Sequence, residues 1–232
     1  MLDRRHVRDR IARAAVAVFD FDGTLVDTGP AILRCAARAL ELNGYDLDTL
    51  RDLHLMIGPP LVDGFREVAG VSREDALPLV AAYRELFRRE VTPEDYPPLP
   101  GAVELLGRLR ARGVRTAIAT SRLEASALEM LAAADLPPFD AVAGRLEPGR
   151  PTKADCIAAA LDMIGCTADA SVMVGDRRND VEGAHALGIP CIGVYRDERG
   201  RAELEEAGAD ALAGGMAMVA DLLGGSLPGR AV

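Results

Sequence analysis

The feature of the sequence that most constrains the fold is a regular alternation of helical patterns and short apolar runs between residues 102 and 195. Four helical segments are each followed by a run with the length and composition of a buried strand. These runs are 114–120, 139–144, 171–176 and 190–195. A similar run, 15–20, precedes them. The alternation predicts an α/β fold in which helices cover both faces of a Rossmann-like parallel sheet.

The region 28–97 interrupts this alternation, because its apolar residues recur at helical spacing and no strand-like run is present. The helices predicted there are 30–44, 47–58, 59–70 and one from the N-cap Ser72 to about Glu90. The proline-rich stretch 92–101 is typical of a linker. The sequence therefore predicts an α/β core of residues 1–27 and 98–232, with a small all-helical domain of residues 28–97 inserted after the first strand.

The charge balance limits the classes of partner. The chain has 36 acidic and 27 basic residues and a net charge of -9, which argues against nucleic acid as a partner. No run approaches the roughly 18 apolar residues that cross a membrane, and the arginine-rich start lacks the apolar core of a secretory signal. The cysteines show no C-x-x-C spacing and are typical of reduced thiols. We expect a cytoplasmic protein without a nucleic-acid or membrane partner, and the sequence predicts no oligomeric state.

The first strand ends in two carboxylates, Asp20 and Asp22. Carboxylates this close repel each other and favour a cation or a shared proton between them. Oxygen ligands favour Mg²⁺, whose coordination is commonly completed by water and a substrate phosphate. Gly23 and Thr24 follow, and the backbone freedom of the glycine allows amides to face an anion. We expect a metal and phosphate site at this strand end.

Two other strand ends carry polar residues of the same kind. Thr120, Ser121 and Arg122 end the second strand, where hydroxyls and amides at a helix start can bind phosphate oxygens. Asp176 ends the fourth strand, and Asp180 follows it by four residues. Because ligands of parallel sheets bind at the carboxyl ends of the strands, these side chains are expected to form one site.

The helix after the third strand adds Lys153, the only lysine in the chain. Thr152 and Asp155 match a capping box, which explains both of them but not the lysine between them. A lysine in the first turn is mildly unfavourable against the helix dipole, so local helix stability does not require it. Together the four strand ends supply the residue types that phosphoryl transfer needs.

This order of motifs resembles that of the haloacid dehalogenase-like phosphatases. The stretch DFDGTLVDT at 20–28 is similar to their first motif, Thr120 to the second, Lys153 to the third and GDRRND at 175–180 to the fourth. The helical insertion resembles the family's small cap. The stretch MIGPPLVDGF at 56–65 is similar to the corresponding cap segment of the branch that contains phosphoglycolate phosphatases and 5′-nucleotidases.

The resemblance implies a reaction and a role for each motif. Asp20 would attack phosphorus to form an aspartyl-phosphate, and Asp22 would act as acid and then as base. Mg²⁺ would be held by Asp20, Asp22 and Asp176, with Asp180 orienting its ligands. Thr120 and Lys153 would act on the transferring phosphoryl group of a small phosphorylated metabolite. The residues assigned to phosphate binding are Gly23, Thr24, Ser121 and Arg122.

Several alternatives stay open at this point. Many relatives carry the third-motif lysine where this chain has Arg150, so that arginine is a rival for the role of Lys153. A phosphomutase acting on a sugar phosphate, or a phosphoryl-accepting protein without turnover, would share the same motifs. In the helical insertion, Arg66 and the arginines at 84, 88 and 89 could meet the leaving group, although a solvated helix face explains them as well.

Overall fold

The computed structural model describes residues 4–224 and contains a parallel sheet of six strands in the order β3-β2-β1-β4-β5-β6. The strands are β1 Val16–Phe19, β2 Arg115–Leu123, β3 Ala141–Arg145, β4 Ser171–Gly175, β5 Cys191–Val194 and β6 Ala211–Ala213. Phe19 pairs with Ile118 on one side and with Val174 on the other, so β1 lies at the centre. Every residue of β1 is buried, as its continuous apolar run requires. The predicted parallel α/β architecture is confirmed.

Ten α-helices accompany the sheet within the described residues. They are α1 Arg4–Ala12, α2 Gly29–Leu42, α3 Leu61–Ala69, α4 Arg73–Glu90, α5 Ala102–Ala111, α6 Glu124–Ala133, α7 Lys153–Ile164, α8 Arg178–Ala186, α9 Glu198–Ala207 and α10 Met216–Leu222. One buried cluster joins the sheet to α7 and α8, and it includes Val18, Ile157 and Val181. This packing brings the N-termini of both helices to the carboxyl edge of the sheet.

The chain divides into two compact units. One contains the described residues up to Val26 and from Pro98 onward, and the other is Asp27–Pro97. The sequence placed this boundary one residue later, between 27 and 28. In the first unit the chain leaves and returns at one point, because Val26 bridges to Pro98 and Leu99 N donates to Leu25 O over 2.8 Å.

The unit Asp27–Pro97 is helical. Phe65, Tyr83 and Phe87 pack their rings together, with centroids 6.1 and 5.6 Å apart, and they join α3 to α4. Ser72 caps α4 as predicted, since its Oγ accepts from Asp75 N over 3.1 Å. This unit forms its own core.

The prediction of one helix over 47–58 is wrong, because the structure has two short 3-10 turns there, Leu47–Thr49 and Leu53–Met56. Asp52 accepts from His54 N over 2.9 Å and starts the second turn in the middle of the segment. Aspartates favour such local hydrogen bonds over the interior of a helix.

Two elements at the ends of the chain were not predicted. The arginine-rich start forms α1, which packs its buried Ile11 inward while Arg10 donates to Gly188 O over 3.0 Å. Strand β6 is too short for its periodicity to be recognised, and it is defined by pairing with β5, as between Ala211 and Ile192. Both elements depend on tertiary contacts.

The state of the cysteines and the character of the helices can be compared with the predictions of reduced thiols and of no membrane span. All four cysteines are free, and three of them, Cys35, Cys156 and Cys191, are buried. Across residues 4–224 no helix has both the length and the apolar character needed to span a bilayer.

Candidate active site at the carboxyl edge of the sheet

Asp20 lies at the centre of the site because it directly follows the central strand β1. Its backbone N–H donates to Val174 O over 2.9 Å, so the residue stays attached to β4 as the chain leaves the sheet. Its side chain is buried. Gly23 then turns the chain with a φ of +80°, and a Cβ atom there would lie 2.5 Å from Oδ2 of Asp176. Glycine is required because this backbone packs directly against a carboxylate.

Lys153 reaches the site from the first turn of α7. The predicted capping box is present: Thr152 Oγ1 accepts from Asp155 N over 3.2 Å, and Asp155 accepts from Thr152 N over 3.0 Å. This cap fixes the start of the helix, and the lysine side chain extends into the core. Its Nζ lies 2.8 Å from Oδ1 of Asp20 and 2.7 Å from Oδ1 of Asp180.

The third ammonium contact of Lys153 is with the backbone, where Nζ donates to Ala119 O over 3.0 Å. Burial alone would lower the pKa of Lys153, but the carboxylates of Asp180 and Asp20 outweigh burial and raise that pKa above its ordinary value. The site therefore holds a fixed positive charge between two carboxylates.

Asp20, Asp176 and Asp180 form an acidic cluster, and each offers an oxygen within 4.8 Å of the others. Burial, together with the neighbouring carboxylates, raises the pKa of Asp20 to about 7 and that of Asp176 to about 8. When all four groups are ionised, the three carboxylates exceed the one ammonium group by two negative charges. A divalent cation would balance this charge, and hard oxygen donors suit Mg²⁺.

Hydrogen bonds fix the orientation of the two carboxylates that follow β4. Thr24, which is fully buried, donates from Oγ1 to Oδ1 of Asp176 over 2.9 Å. Asp180 lies in the first turn of α8, where its Oδ2 accepts from Arg177 N over 3.0 Å. Thr24 was predicted to bind phosphate, but its donor hydrogen is directed at Asp176. It therefore acts on the acidic cluster in this structure.

The end of β2 supplies Thr120, Ser121 and Arg122. Thr120 is buried, and its Oγ1 accepts from Arg122 N over 3.1 Å, an interaction that does not use its O–H group. Ser121 is partly buried at the same edge. The guanidinium of Arg122 binds Asp22, with Nε to Oδ2 at 2.9 Å and Nη2 to Oδ1 at 2.7 Å. Asp22 thus contacts Arg122 through both of its oxygens.

Arg150, the sequence-level rival of Lys153, has a different partner. Its Nη2 lies 2.5 Å from Oε2 of Glu124, which also accepts from Gly144 N over 3.2 Å. Lys153 is therefore the cation that reaches Asp20, and Arg150 ties the loop after β3 to the start of α6.

Three arginines of the helical unit take part in surface ion pairs of that unit. Arg66 lies 3.6 Å from Asp63, Arg89 lies 2.6 Å from Glu90, and Arg88 pairs with Glu85. The side chains of the three arginines are about half exposed or more. This is the behaviour of a solvated helix face.

Two residues that the sequence did not single out support the site. Gly183 of α8 lies beside the lysine stem, since a Cβ there would be 2.8 Å from Cγ of Lys153. Glu203 of α9 accepts from Arg178 N over 2.9 Å and from Nη1 of Arg177 over 3.1 Å, which anchors the loop between Asp176 and α8. Neither residue belongs to a local pattern, because each acts through contacts between helices that are distant in sequence.

Comparisons with known proteins agree with this geometry. A family model described as haloacid dehalogenase-like hydrolase matches residues 17–194. The chain is 37% identical over 191 residues to a 5′-nucleotidase of Pseudomonas aeruginosa, a match that covers 81% of this chain and 86% of the relative. It is 32% identical over 206 residues to a phosphoglycolate phosphatase of Caulobacter vibrioides, covering 84% and 85% of the two chains.

Solved structures show the same fold. A haloacid dehalogenase-like family hydrolase from Streptococcus pneumoniae superposes with a TM-score of 0.79 at 24% sequence identity. The superposition covers 89% of this chain and 98% of the other. The similarity therefore extends over nearly the whole chain.

Proposed function

This chain belongs to the haloacid dehalogenase-like hydrolase family and is a phosphatase, and we propose that it hydrolyses small phosphate monoesters with Mg²⁺ through an aspartyl-phosphate intermediate. The family and the phosphatase activity that the sequence predicted are confirmed. The metal, the intermediate and the substrate are the proposed parts.

One observation carries the proposal. The buried ammonium group of Lys153 lies between Asp20 and Asp180 at 2.8 and 2.7 Å, next to Asp176. A nucleophilic carboxylate must approach an anionic phosphate, and this approach requires positive groups next to the two anions to offset their repulsion. The lysine provides one such charge, and the net charge of the acidic cluster favours a divalent cation as the other.

In the proposed reaction, an oxygen of Asp20 attacks phosphorus and the bond from phosphorus to the ester oxygen breaks. Asp22 donates a proton to the departing oxygen. Asp22 then takes a proton from water, whose oxygen attacks phosphorus and releases phosphate from Asp20. The covalent intermediate divides one displacement into two.

The metal would be held by the carboxylates of Asp20 and Asp176 and by the backbone carbonyl of Asp22, with Asp180 orienting these ligands. When bound, Mg²⁺ polarises the phosphate and neutralises its charge. The hydrogen bond from Thr24 to Asp176 supports this assignment, because it holds a ligand oxygen in place before the metal arrives.

The remaining residues would bind the phosphate oxygens. Thr120 has an O–H group that its contact with Arg122 N does not use, and Ser121 and the amides near Gly23 lie at the same strand ends. These groups are suited to the equatorial oxygens of the transferring phosphoryl group. The sequence also assigned Arg122 to phosphate binding, and its pairing with Asp22 leaves that prediction untested.

For the substrate, we propose a small metabolite of the phosphoglycolate or 5′-nucleotide type. The support is the similarity to a 5′-nucleotidase and to a phosphoglycolate phosphatase, which extends over more than four fifths of each chain. The interpretation of residues 28–97 as a cap that selects the leaving group stays a prediction.

The test is phosphate release from a panel of phosphate esters with Mg²⁺ and with a chelator, for the wild type and for Asp20→Asn. We expect metal-dependent release by the wild type and none by the variant. Asp221→Asn, which changes an exposed carboxylate of α10, is the matched control and should behave as the wild type. Wild-type turnover by Asp20→Asn would refute the mechanism. An isomeric sugar phosphate formed in place of phosphate would identify a phosphomutase.

A further inference from the structure

We propose that Arg122 is a positioning residue that holds the carboxylate of Asp22 in place for its proton transfers and does not bind the substrate phosphate. This inference rests on the proposed function, in which Asp22 is the acid and base.

The contact between the two residues is bidentate. Nε and Nη2 of Arg122 donate to the two oxygens of Asp22 over 2.9 and 2.7 Å, and the residues are 100 positions apart in the chain. The side chains are only 11% and 16% exposed. Two parallel charge-assisted hydrogen bonds fix the plane of a carboxylate as well as its distance. The pair therefore sets the orientation of Asp22.

Arg122 is itself anchored, through its backbone and through its guanidinium. The backbone N–H of Arg122 donates to Thr120 Oγ1 over 3.1 Å, and Nη1 donates to Ser126 Oγ of α6 over 3.4 Å. Asp22, by contrast, lies in the loop after β1. Arg122 therefore fixes the side chain of Asp22, in the loop after β1, relative to β2 and α6.

Holding Asp22 in this way leaves it able to react. An ionised carboxylate has about four lone-pair sites, and Arg122 occupies one on each oxygen. In the acid step the proton occupies one of the remaining sites and passes to the leaving oxygen, and in the base step a remaining site accepts a proton from water. Proton transfer requires heavy atoms at hydrogen-bond distance, and small displacements of a catalytic group can cost about a hundredfold in rate.

Two aryl esters of similar shape separate positioning from phosphate binding. Phenyl phosphate has a leaving group with a pKa of about 10, as in tyrosine, so its departure benefits from a proton. The leaving group of p-nitrophenyl phosphate is a far weaker base and departs as the anion. The ratio kcat/KM reports the steps up to loss of the leaving group. It therefore reports the same step for both esters, and only phenyl phosphate needs an acid in that step.

For Arg122→Gln we expect kcat/KM to fall about tenfold or more for phenyl phosphate and less than about threefold for p-nitrophenyl phosphate. Arg122→Lys, which keeps the charge but lacks the fork, should recover only part of the loss. An equal fall for both esters would overturn the proposal and identify Arg122 as a phosphate ligand. Unchanged values for both esters would overturn it as well.

A double-mutant cycle with Asp22→Asn gives a second, independent readout. If Arg122 acts through Asp22, the double variant should react with phenyl phosphate about as fast as Asp22→Asn alone. Losses that multiply would contradict the inference. Arg34→Gln removes another Arg–Asp pair, 2.8 Å from Asp95 in the helical unit, and should change neither ester. The melting temperature of each variant identifies any loss that is due to unfolding.

The outcomes also separate this inference from the function on which it rests. Phosphate release that does not depend on Asp20 would refute both the proposed function and the role of Arg122. Release that depends on Asp20, combined with an equal effect of Arg122→Gln on the two esters, would refute only the role of Arg122.

Discussion

Nζ of Lys153 lies 2.8 Å from Oδ1 of Asp20, although the two residues are 133 positions apart in the chain. The contact joins the end of the central strand to the first turn of α7. It is buried, and it uses the only lysine of a protein that otherwise carries its positive side-chain charge on arginine and histidine. The relationship shows that the compact ammonium group has a specific place at the site.

The first prediction concerns the size of that cation. In Lys153→Arg a planar fork replaces an ammonium group that fits between Asp20, Asp180 and the Ala119 carbonyl. We expect kcat to fall at least tenfold, on the order of 1.4 kcal/mol in the activation free energy. Steady-state phosphate release at saturating substrate measures the effect. Near-normal turnover would mean that a lysine is not required.

The same experiment resolves the rivalry with Arg150. Because its guanidinium binds Glu124, we expect Arg150→Gln to retain most of the wild-type turnover. A loss as large as that of the Lys153 variant would instead give Arg150 a share in the reaction.

The second prediction concerns pH and metal together. Without metal, burial raises the pKa of Asp20 and of Asp176 to about 7 and 8, from an ordinary value of 3.8. In that interval the folded protein binds more protons than the unfolded chain, so the free energy of unfolding falls as pH rises from about 4 to about 8. Binding of Mg²⁺ to the ionised carboxylates should reverse this loss.

Thermal unfolding from pH 5 to pH 8 measures this effect. With a chelator the melting temperature should decrease across the range, and the increase on adding Mg²⁺ should be largest at pH 8. The Asp176→Asn variant removes one of the two carboxyl groups whose pKa is raised. Its melting temperature should therefore depend less on pH and respond less to Mg²⁺. A stabilisation by Mg²⁺ that is equal at every pH would contradict the assignment.

The third prediction concerns Gly183, whose Cβ position lies 2.8 Å from Cγ of Lys153. Gly183→Ala should displace the lysine stem and lower both kcat and the melting temperature, even though alanine is the better helix former. Gly107→Ala in α5 is the matched control, because nothing lies within 4 Å of its Cβ position. That control should be neutral or slightly stabilising. Equal changes of kcat and of melting temperature in the two variants would show that Gly183 does not place the lysine.

The extent of agreement between sequence and structure has a physical explanation. Short apolar runs between helical patterns predicted that Asp20, Thr120 and Asp176 lie at the ends of parallel strands, and parallel strands bring their carboxyl ends to one edge. The capping box likewise located the start of α7 and hence Lys153. These features depend on local patterns and on a topology that permits few alternatives.

Side-chain partners could not be predicted in the same way. The sequence assigned Arg122 and Thr24 to phosphate binding, which stays a prediction, and it did not predict their hydrogen bonds to Asp22 and Asp176. Which acceptor a buried donor finds depends on distances between segments far apart in the chain, and composition does not encode those distances. For the same reason the close packing of Gly183 on α7 left no pattern in the sequence.

The last prediction tests whether Thr24 prepares the metal site. Its Oγ1 donates to Oδ1 of Asp176 over 2.9 Å, and Thr24→Val removes the donor while keeping the shape. Groups that orient a metal ligand typically contribute tenfold or more to affinity, so Mg²⁺ should bind about tenfold more weakly, as measured by calorimetry without substrate. Thr28→Val is the matched control, because Thr28 is equally buried and its Oγ1 has no hydrogen-bond partner among the described residues. Removing an unsatisfied buried hydroxyl should leave Mg²⁺ affinity unchanged and stability equal or higher. Unchanged Mg²⁺ affinity in Thr24→Val would show that Asp176 is held in place by other contacts.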